Sequence, residues 1–339
     1  MKAAVFHGPN DTHVEEVENP KLLKTGIIVR VRACGICGSD LHFYKLGGKR
    51  MHPGTVMGHE FCGDVVEVGD GVNDIKVGDR VAAISFQPCF SCAICKAGLY
   101  ELCPQQGAGG IDIPGAYAEY TSVPLAALDK TVFKLADDIT YEEGALFEPL
   151  GVGYMAAARA NPQRSDVIAI FGAGIIGLSC IVALKARGVS KIIVSETSQL
   201  RLQAAGQLGA DVLINAAEED VAARIAQATG GRGLDVALEC TGVRKPFFTA
   251  MKTLRMDGKL VMVGVFTEAF EFNPVTVTDK WLTITGFVGG DYPPSIAAVN
   301  GRIIDFKKLV THAFPLEKIN DAFAVQASPD QSIKVVVKP

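Results

Sequence analysis

The run Asp166-Val167-Ile168-Ala169-Ile170-Phe171-Gly172-Ala173-Gly174-Ile175-Ile176-Gly177 sets the class of the chain. Its first half is a continuous apolar stretch, as in a strand buried on both faces of a parallel sheet. Its second half is a G-x-G-x-x-G turn that opens a helix reading through Arg187. The glycines permit a tight turn and a close approach of backbone to a pyrophosphate, which then sits at the helix N-terminus. A second strand, Lys191-Ile192-Ile193-Val194-Ser195, ends at Glu196, 24 residues after Gly172. A carboxylate there accepts from both adenosine ribose hydroxyls and repels a 2′-phosphate, so NAD is favoured over NADP.

Downstream, strand and helix keep alternating. Strands read over 211–215, 234–240, 259–264 and 281–286, with helices over 218–229 and up to about Leu254. Six such strands make one doubly wound α/β sheet. Upstream the pattern is different: the first 33 residues alternate apolar and polar, and 61–69 and 79–84 continue the alternation between glycine-rich turns, as a rolled antiparallel β domain does. The last fifty residues, with a helix over 294–305 and a strand over 332–337, are too few for a domain and return to the first one. The expected division is 1–150 with 287–339 for the β-rich domain and 151–286 for the dinucleotide-binding domain.

Two stretches of the β-rich part carry metal-binding chemistry. Gly35-Ile36-Cys37-Gly38-Ser39-Asp40-Leu41-His42, followed by Gly58-His59-Glu60, gathers a thiolate, imidazoles, carboxylates and a hydroxyl within a short span. Three protein ligands of mixed softness with one open position is the arrangement of a catalytic zinc, and Cys37, His59 and Glu60 can supply it. Asp40 is placed to accept from the second ring nitrogen of His59. Ser39 and His42 remain as a path for a proton leaving a substrate alcohol. The other stretch, Cys89-Phe-Ser-Cys92-Ala-Ile-Cys95 closed by Cys103, has four thiolates on a tight loop within the lobe 87–105 and reads as a closed, structural zinc site. A thiol-exchange pair is the alternative use of C-x-x-C. Cys34, Cys62, Cys180 and Cys240 fall in strand or helix patterns and read as core residues.

Composition limits the partners. The chain has 339 residues, 48% hydrophobic and 21% charged, a formal charge of −4 and no Lys/Arg cluster that would serve nucleic acid or an anionic membrane. It shows no apolar run long enough to span a bilayer and no secretion signal at Met1-Lys2-Ala3-Ala4-Val5, so a cytoplasmic protein with reduced thiols is expected.

With these motifs in this order, the chain resembles the zinc-dependent medium-chain alcohol dehydrogenases, and within them the polyol and secondary-alcohol branch of sorbitol and 2,3-butanediol dehydrogenases. The mark of that branch is Glu148 in Phe147-Glu148-Pro149-Leu150-Gly151, where the liver alcohol dehydrogenase type has a cysteine as third ligand to the catalytic zinc. The resemblance implies a GroES-like catalytic domain beside a Rossmann domain, two zinc ions per chain and NAD as cofactor. It implies Cys37, His59 and Glu60 as catalytic-zinc ligands, with Glu148 binding the metal directly or through its water. It further implies Gly172, Gly174, Ile176, Gly177, Glu196, Arg201, Thr241, Val263 and Val288 as cofactor contacts. The expected activity is oxidation of a secondary alcohol or polyol to a ketone by a homodimer or homotetramer. L-Threonine 3-dehydrogenase, a sugar-acid dehydrogenase and a non-enzymatic zinc- and NAD-binding protein are the alternatives; the intact Ser39/His42 pair argues against the last.

Overall fold

The computed structural model describes residues 1–339, which divide into two compact units, Met1–Glu148 with Tyr292–Pro339, and Pro149–Asp291. The residues 287–291 therefore stay with the second unit, where the Asp291 N–H donates to the Gly151 carbonyl at 2.9 Å.

The first unit is built on a seven-stranded sheet. Val132–Lys134, Arg80–Ala83, Glu60–Val68, Ile27–Gly35, Lys334–Lys338 and Val310–Pro315 lie side by side, and Tyr120–Val123 also pairs with Ile27–Gly35. A smaller sheet of Asp11–Glu16, Lys2–Gly8 and Thr55–Val56 packs nearby. The core between these layers holds Phe6, Ile27, Val29, Val31, Ile36, Met57, Tyr117, Phe323 and Val335. The C-terminal strand sits inside the sheet, pairing antiparallel with Gly35 and Cys34, so the end of the chain is the immediate neighbour of the segment that leads to Cys37.

In the second unit all six strands are parallel, ordered Val212–Asn215, Lys191–Glu196, Val167–Phe171, Leu234–Glu239, Leu254–Met262 and Thr283–Gly286. The order reverses direction between Val167–Phe171 and Leu234–Glu239, and the carboxyl ends of strands at such a reversal form the crevice where dinucleotides bind. Val167–Phe171 is buried at every position, as its apolar sequence requires. The helix after it, Ile175–Ala186, is preceded by Gly174 at its N-cap. Gly177 belongs there for a steric reason: a Cβ on it would lie 2.0 Å from the Gly172 carbonyl oxygen.

The sixth strand is shorter than the sequence suggests. Val275–Lys280, although rich in β-branched residues, forms a helix that begins at Pro274, and Trp281 closes it in the left-handed conformation at φ 55°. The strand proper runs from Thr283 to Gly286 and pairs on one side alone. The helix near the C-terminus likewise begins earlier than expected, at Tyr292, and ends at Asn300. No helix is long and apolar enough to cross a membrane.

Candidate active site

One ligand atom each from Cys37, His59 and Glu60 lies within 4.8 Å of the others. Two neighbouring strand ends create this convergence. Ile27–Gly35 delivers Cys37 just beyond its last residue, and its neighbour Glu60–Val68 begins with the carboxylate of the Gly-His-Glu motif. Gly58 has φ 91°, and a Cβ there would come within 2.8 Å of the Tyr117 ring, so the turn before His59 accepts glycine alone.

Each donor is oriented by a second group. His59 Nδ1 stands 3.3 Å from Asp40 Oδ1, which fixes the tautomer that leaves the other ring nitrogen for a metal. Asp40 is buried and also accepts from the Cys37 N–H at 2.9 Å and the Tyr117 hydroxyl at 2.7 Å. Burial alone would raise the Asp40 carboxyl, but His59 and these hydrogen bonds hold it below its ordinary value. For His59 burial opposes protonation, and Asp40 and Cys37 outweigh it, so its pKa lies well above the usual imidazole value.

Glu60 is fully buried, and its Oε2 accepts from Lys334, itself fully buried and also donating to the Ile36 carbonyl at 2.9 Å. Its Oε1 is buried with no partner. A buried carboxylate oxygen without a donor is costly unless a cation completes it, and beside a thiolate and an imidazole that cation fits zinc. Desolvation lowers the pKa of Lys334 and the Glu60 charge overcomes it, so the ammonium stays protonated.

Glu148 stands outside the three-donor cluster but is electrostatically coupled to it. Its carboxyl is pushed up to about 7 by burial, partly offset by His59 and reinforced by Glu60. The Tyr292 hydroxyl donates to Glu148 Oε1 at 3.3 Å, and the Tyr292 ring packs on Phe147 with centroids 5.4 Å apart. Ser39 and His42 share the helix Gly38–Leu46, three residues apart and so on one face, both half-buried.

Cys89, Cys92, Cys95 and Cys103 also bring their sulfurs within 4.8 Å of one another. The Cys92, Cys95 and Cys89 amides donate to the sulfurs of Cys89, Cys92 and Cys103, each at 3.4 Å. Amides aimed at sulfur suit thiolates more than thiols. Cys89 is lowered to about 5, chiefly by the Ser91 hydrogen bond, whereas burial and the neighbouring sulfurs push Cys95 up to about 12. Four thiolates this close cannot all ionise unless a cation sits among them, which again fits zinc. Among the other cysteines, Cys34, Cys62 and Cys180 are buried as expected, whereas Cys240 is half-buried, with its sulfur 4.0 Å from that of Cys180.

In the second unit a cavity of about 600 Å³ opens at the carboxyl ends of the strands and is lined by Gly172, Glu196 and Thr241 among the sequence candidates, with Lys245 and Thr249 in addition. Glu196 Oε2 accepts from the Ala173 N–H at 2.8 Å, and Oε1 from the N–H groups of Thr197 and Ser198 at 2.6 and 3.0 Å. The carboxylate is thereby fixed against the glycine-rich turn. Gly174, Ile176, Gly177, Arg201, Val263 and Val288 do not line this cavity, although an Arg201 guanidinium nitrogen lies 3.8 Å from where a Cβ on Gly174 would be. Sequence reading missed Glu239, a fully buried acid that accepts from the amides of Thr241 and Gly242 at 2.9 and 3.0 Å and so shapes the cavity wall.

Residues 24–135 match the model of the alcohol dehydrogenase GroES-like domain, and residues 176–304 that of the zinc-binding dehydrogenases. Sorbitol dehydrogenase of Bacillus subtilis is 37% identical over 348 residues, spanning 100% of this chain and 97% of that one. The chain belongs to the zinc-binding alcohol dehydrogenase family. The (R,R)-butanediol dehydrogenase of Bacillus subtilis is also 37% identical, with 100% of both chains covered. The crystal structure of 2R,3R-butanediol dehydrogenase from the same organism superimposes with a TM-score of 0.87 at 35% identity, covering 100% of this chain and 99% of that chain. Membership makes this chain a zinc-dependent oxidoreductase of the polyol branch of the family.

The Lys334–Glu60 pair yields a direct prediction. Lys334→Met leaves a buried carboxylate without its cation and should cost about 3–5 kcal/mol of stability, while Lys334→Arg should retain most of it. Denaturant unfolding checks this; equal stability of wild type and Lys334→Met would mean that the pair is not what holds Glu60.

Proposed function

We propose that this enzyme oxidises a secondary hydroxyl of a polyol or vicinal diol to a ketone with NAD as acceptor, carrying two zinc ions per chain. The observation that supports it most is the convergence of half-buried Cys37 and His59 on buried Glu60 with its unpartnered Oε1, flanked by the protonatable pair Glu148 and Tyr292. Cys37, His59 and Glu60 would hold the catalytic zinc, and Cys89, Cys92, Cys95 and Cys103 the structural one. Bound zinc supplies Lewis acidity toward the substrate oxygen, and NAD supplies the hydride acceptor.

The remaining steps belong to the chain. Asp40 keeps His59 in the tautomer that presents its outer nitrogen, and Lys334 holds Glu60 turned inward. Ser39 would relay the proton of the reacting hydroxyl, accepting it while its own hydroxyl proton passes on toward His42, one turn further along the same helix, which releases it to solvent. A second hydroxyl on a diol or polyol finds Glu148 and Tyr292, whose carboxyl and phenol can each donate and accept. Glu196 meets the adenosine ribose, and Gly172 and Thr241 line the same cavity.

Assay of NAD reduction against butanediol isomers, sorbitol, xylitol, sugar acids and threonine tests the assignment. Turnover is expected with one or more diols or polyols, and Ser39→Ala should reduce kcat by about 10²-fold or more. Turnover confined to threonine, or none at all, would contradict it.

Glu196→Ala should lower the preference for NAD over NADP by about tenfold or more, because it removes both the ribose acceptor and the charge that repels a 2′-phosphate. Unchanged discrimination in kcat/KM between the two cofactors would place that selection elsewhere.

We also propose a homodimer or homotetramer joined through Thr283–Gly286. This strand ends the sheet with its outer edge unpaired and carries no charge or proline, and Trp281 beside it is 75% exposed. Light scattering at micromolar concentration should give an even multiple of the chain mass, which Ile284→Lys should halve; a monomer in the wild type would refute the interface.

A further inference from the structure

Two buried acids stand on either side of the glycine-rich turn. Val167–Phe171, which leads into that turn, lies between Lys191–Glu196 and Leu234–Glu239 in the sheet, and each of these neighbours ends in a glutamate. Glu196 braces the turn directly, by accepting from the Ala173 N–H. Glu239, fully buried, is its counterpart on the other side. Its Oε1 accepts from the Thr241 hydroxyl and from the Thr241 N–H, the latter at 2.9 Å, and its Oε2 from the Gly242 N–H at 3.0 Å. Its backbone carbonyl accepts from the N–H groups of Val263 and Gly264, both at 2.8 Å. One residue thus ties the turn after its own strand to the turn after Leu254–Met262. The fit is close, for a Cβ on Gly264 would lie 2.9 Å from Glu239 Oε2. Burial raises the Glu239 carboxyl above its ordinary value, and the bonds from Thr241 and Gly242 oppose this.

Thr241 carries the effect of Glu239 to the glycine-rich turn. Its hydroxyl gives its one proton to Glu239, and the same oxygen accepts from the Val243 N–H at 3.0 Å. No proton remains there to donate to a phosphate. With the hydroxyl so committed, the Thr241 methyl stands against Gly172, 2.7 Å from where a Cβ on that glycine would be. Gly172, at φ 92°, begins the turn whose following helix N-terminus suits a pyrophosphate. Gly172 and Thr241 line the cavity of about 600 Å³ together with Glu196.

We propose that Glu239 is a positioning residue for the cofactor: it holds the Thr241 hydroxyl to the protein and the Thr241 methyl against Gly172, so that the pyrophosphate of a dinucleotide takes its hydrogen bonds from backbone amides and none from Thr241. This rests on the dinucleotide binding proposed above. Glu196 and Glu239 then divide the work, the first meeting the adenosine ribose and the second fixing the wall beside the phosphates. Glutamine cannot replace Glu239, because its NH2 would present a donor to a group that needs an acceptor. Aspartate keeps the charge but is one methylene short of the amides.

The test is calorimetric titration of the zinc-loaded full chain with ADP-ribose and with adenosine, which has the ribose that Glu196 meets and no pyrophosphate. In Glu239→Gln the Kd for ADP-ribose should rise about tenfold or more, while that for adenosine stays close to the wild-type value. Glu239→Asp should lie between for ADP-ribose, and it decides the matter if the glutamine variant does not fold. In steady-state assays the loss should fall on KM for NAD more than on kcat. ADP-ribose held by either folded variant as tightly as by the wild type would overturn the proposal, because a freed Thr241 hydroxyl would then serve as well. Equal loss for adenosine would also overturn it, since that marks a general loosening of the unit. If the wild type binds neither ADP-ribose nor NAD, the cofactor reading itself is overturned and the role of Glu239 with it.

Discussion

The site depends on a buried ion pair between the two chain segments that make up the first unit. Lys334 comes from the C-terminal strand and Glu60 from the strand that follows His59, 274 positions apart in sequence, and neither is exposed. Removing two charges from water costs several kcal/mol per ion, and their attraction repays this when the geometry is close and the remaining donors are satisfied. Lys334 meets that condition by donating to Ile36 as well. Glu60 meets it on one oxygen alone, and the other is buried without a partner. The same contact that closes the fold thus leaves one carboxylate oxygen facing Cys37 and His59, and the C-terminal segment, too short to be a domain, is a structural part of the centre.

Around this pair the remaining polar groups form a chain of orientation. Tyr117 holds Asp40, Asp40 holds His59 and the amide of Cys37, and each link is buried enough for its hydrogen bonds to be strong. The four-cysteine lobe is different in kind. Ile94, Leu99 and Leu102 are exposed, so the lobe has little core of its own, and metal coordination would supply much of what keeps it folded.

What was legible in the sequence was local. The glycine-rich turn between a buried strand and a helix, the acid that ends the next strand, and the cysteine spacing each declare themselves within about thirty residues, because turn geometry and tetrahedral coordination restrict short-range patterns. The partners that complete the centre were not legible. Lys334, Tyr292 and Tyr117 come from positions distant in sequence from Glu60, Glu148 and Asp40, and one lysine or tyrosine among several bears no mark of a buried partner. The helix before the sixth strand has no sequence reading for another reason. Val275, Thr276, Val277 and Thr278 have strand propensity, yet Pro274 at the helix start and the left-handed Trp281 at its end enclose them in a helix, and tertiary packing of Val277 against the core outweighs the local preference.

The central claim is that one chain holds two zinc environments, a mixed one completed by Glu60 and an all-sulfur one. X-ray absorption at the zinc edge, on protein purified without chelators, measures it directly. Two zinc ions per chain are expected. In the wild type five sulfur ligands should be shared between them at about 2.3 Å, and the remaining ligands should be nitrogen and oxygen at about 2.0–2.2 Å; in Glu60→Ala the oxygen contribution should fall with the sulfur count unchanged. A spectrum of sulfur ligands alone, or one that Glu60→Ala leaves as it was, would contradict it.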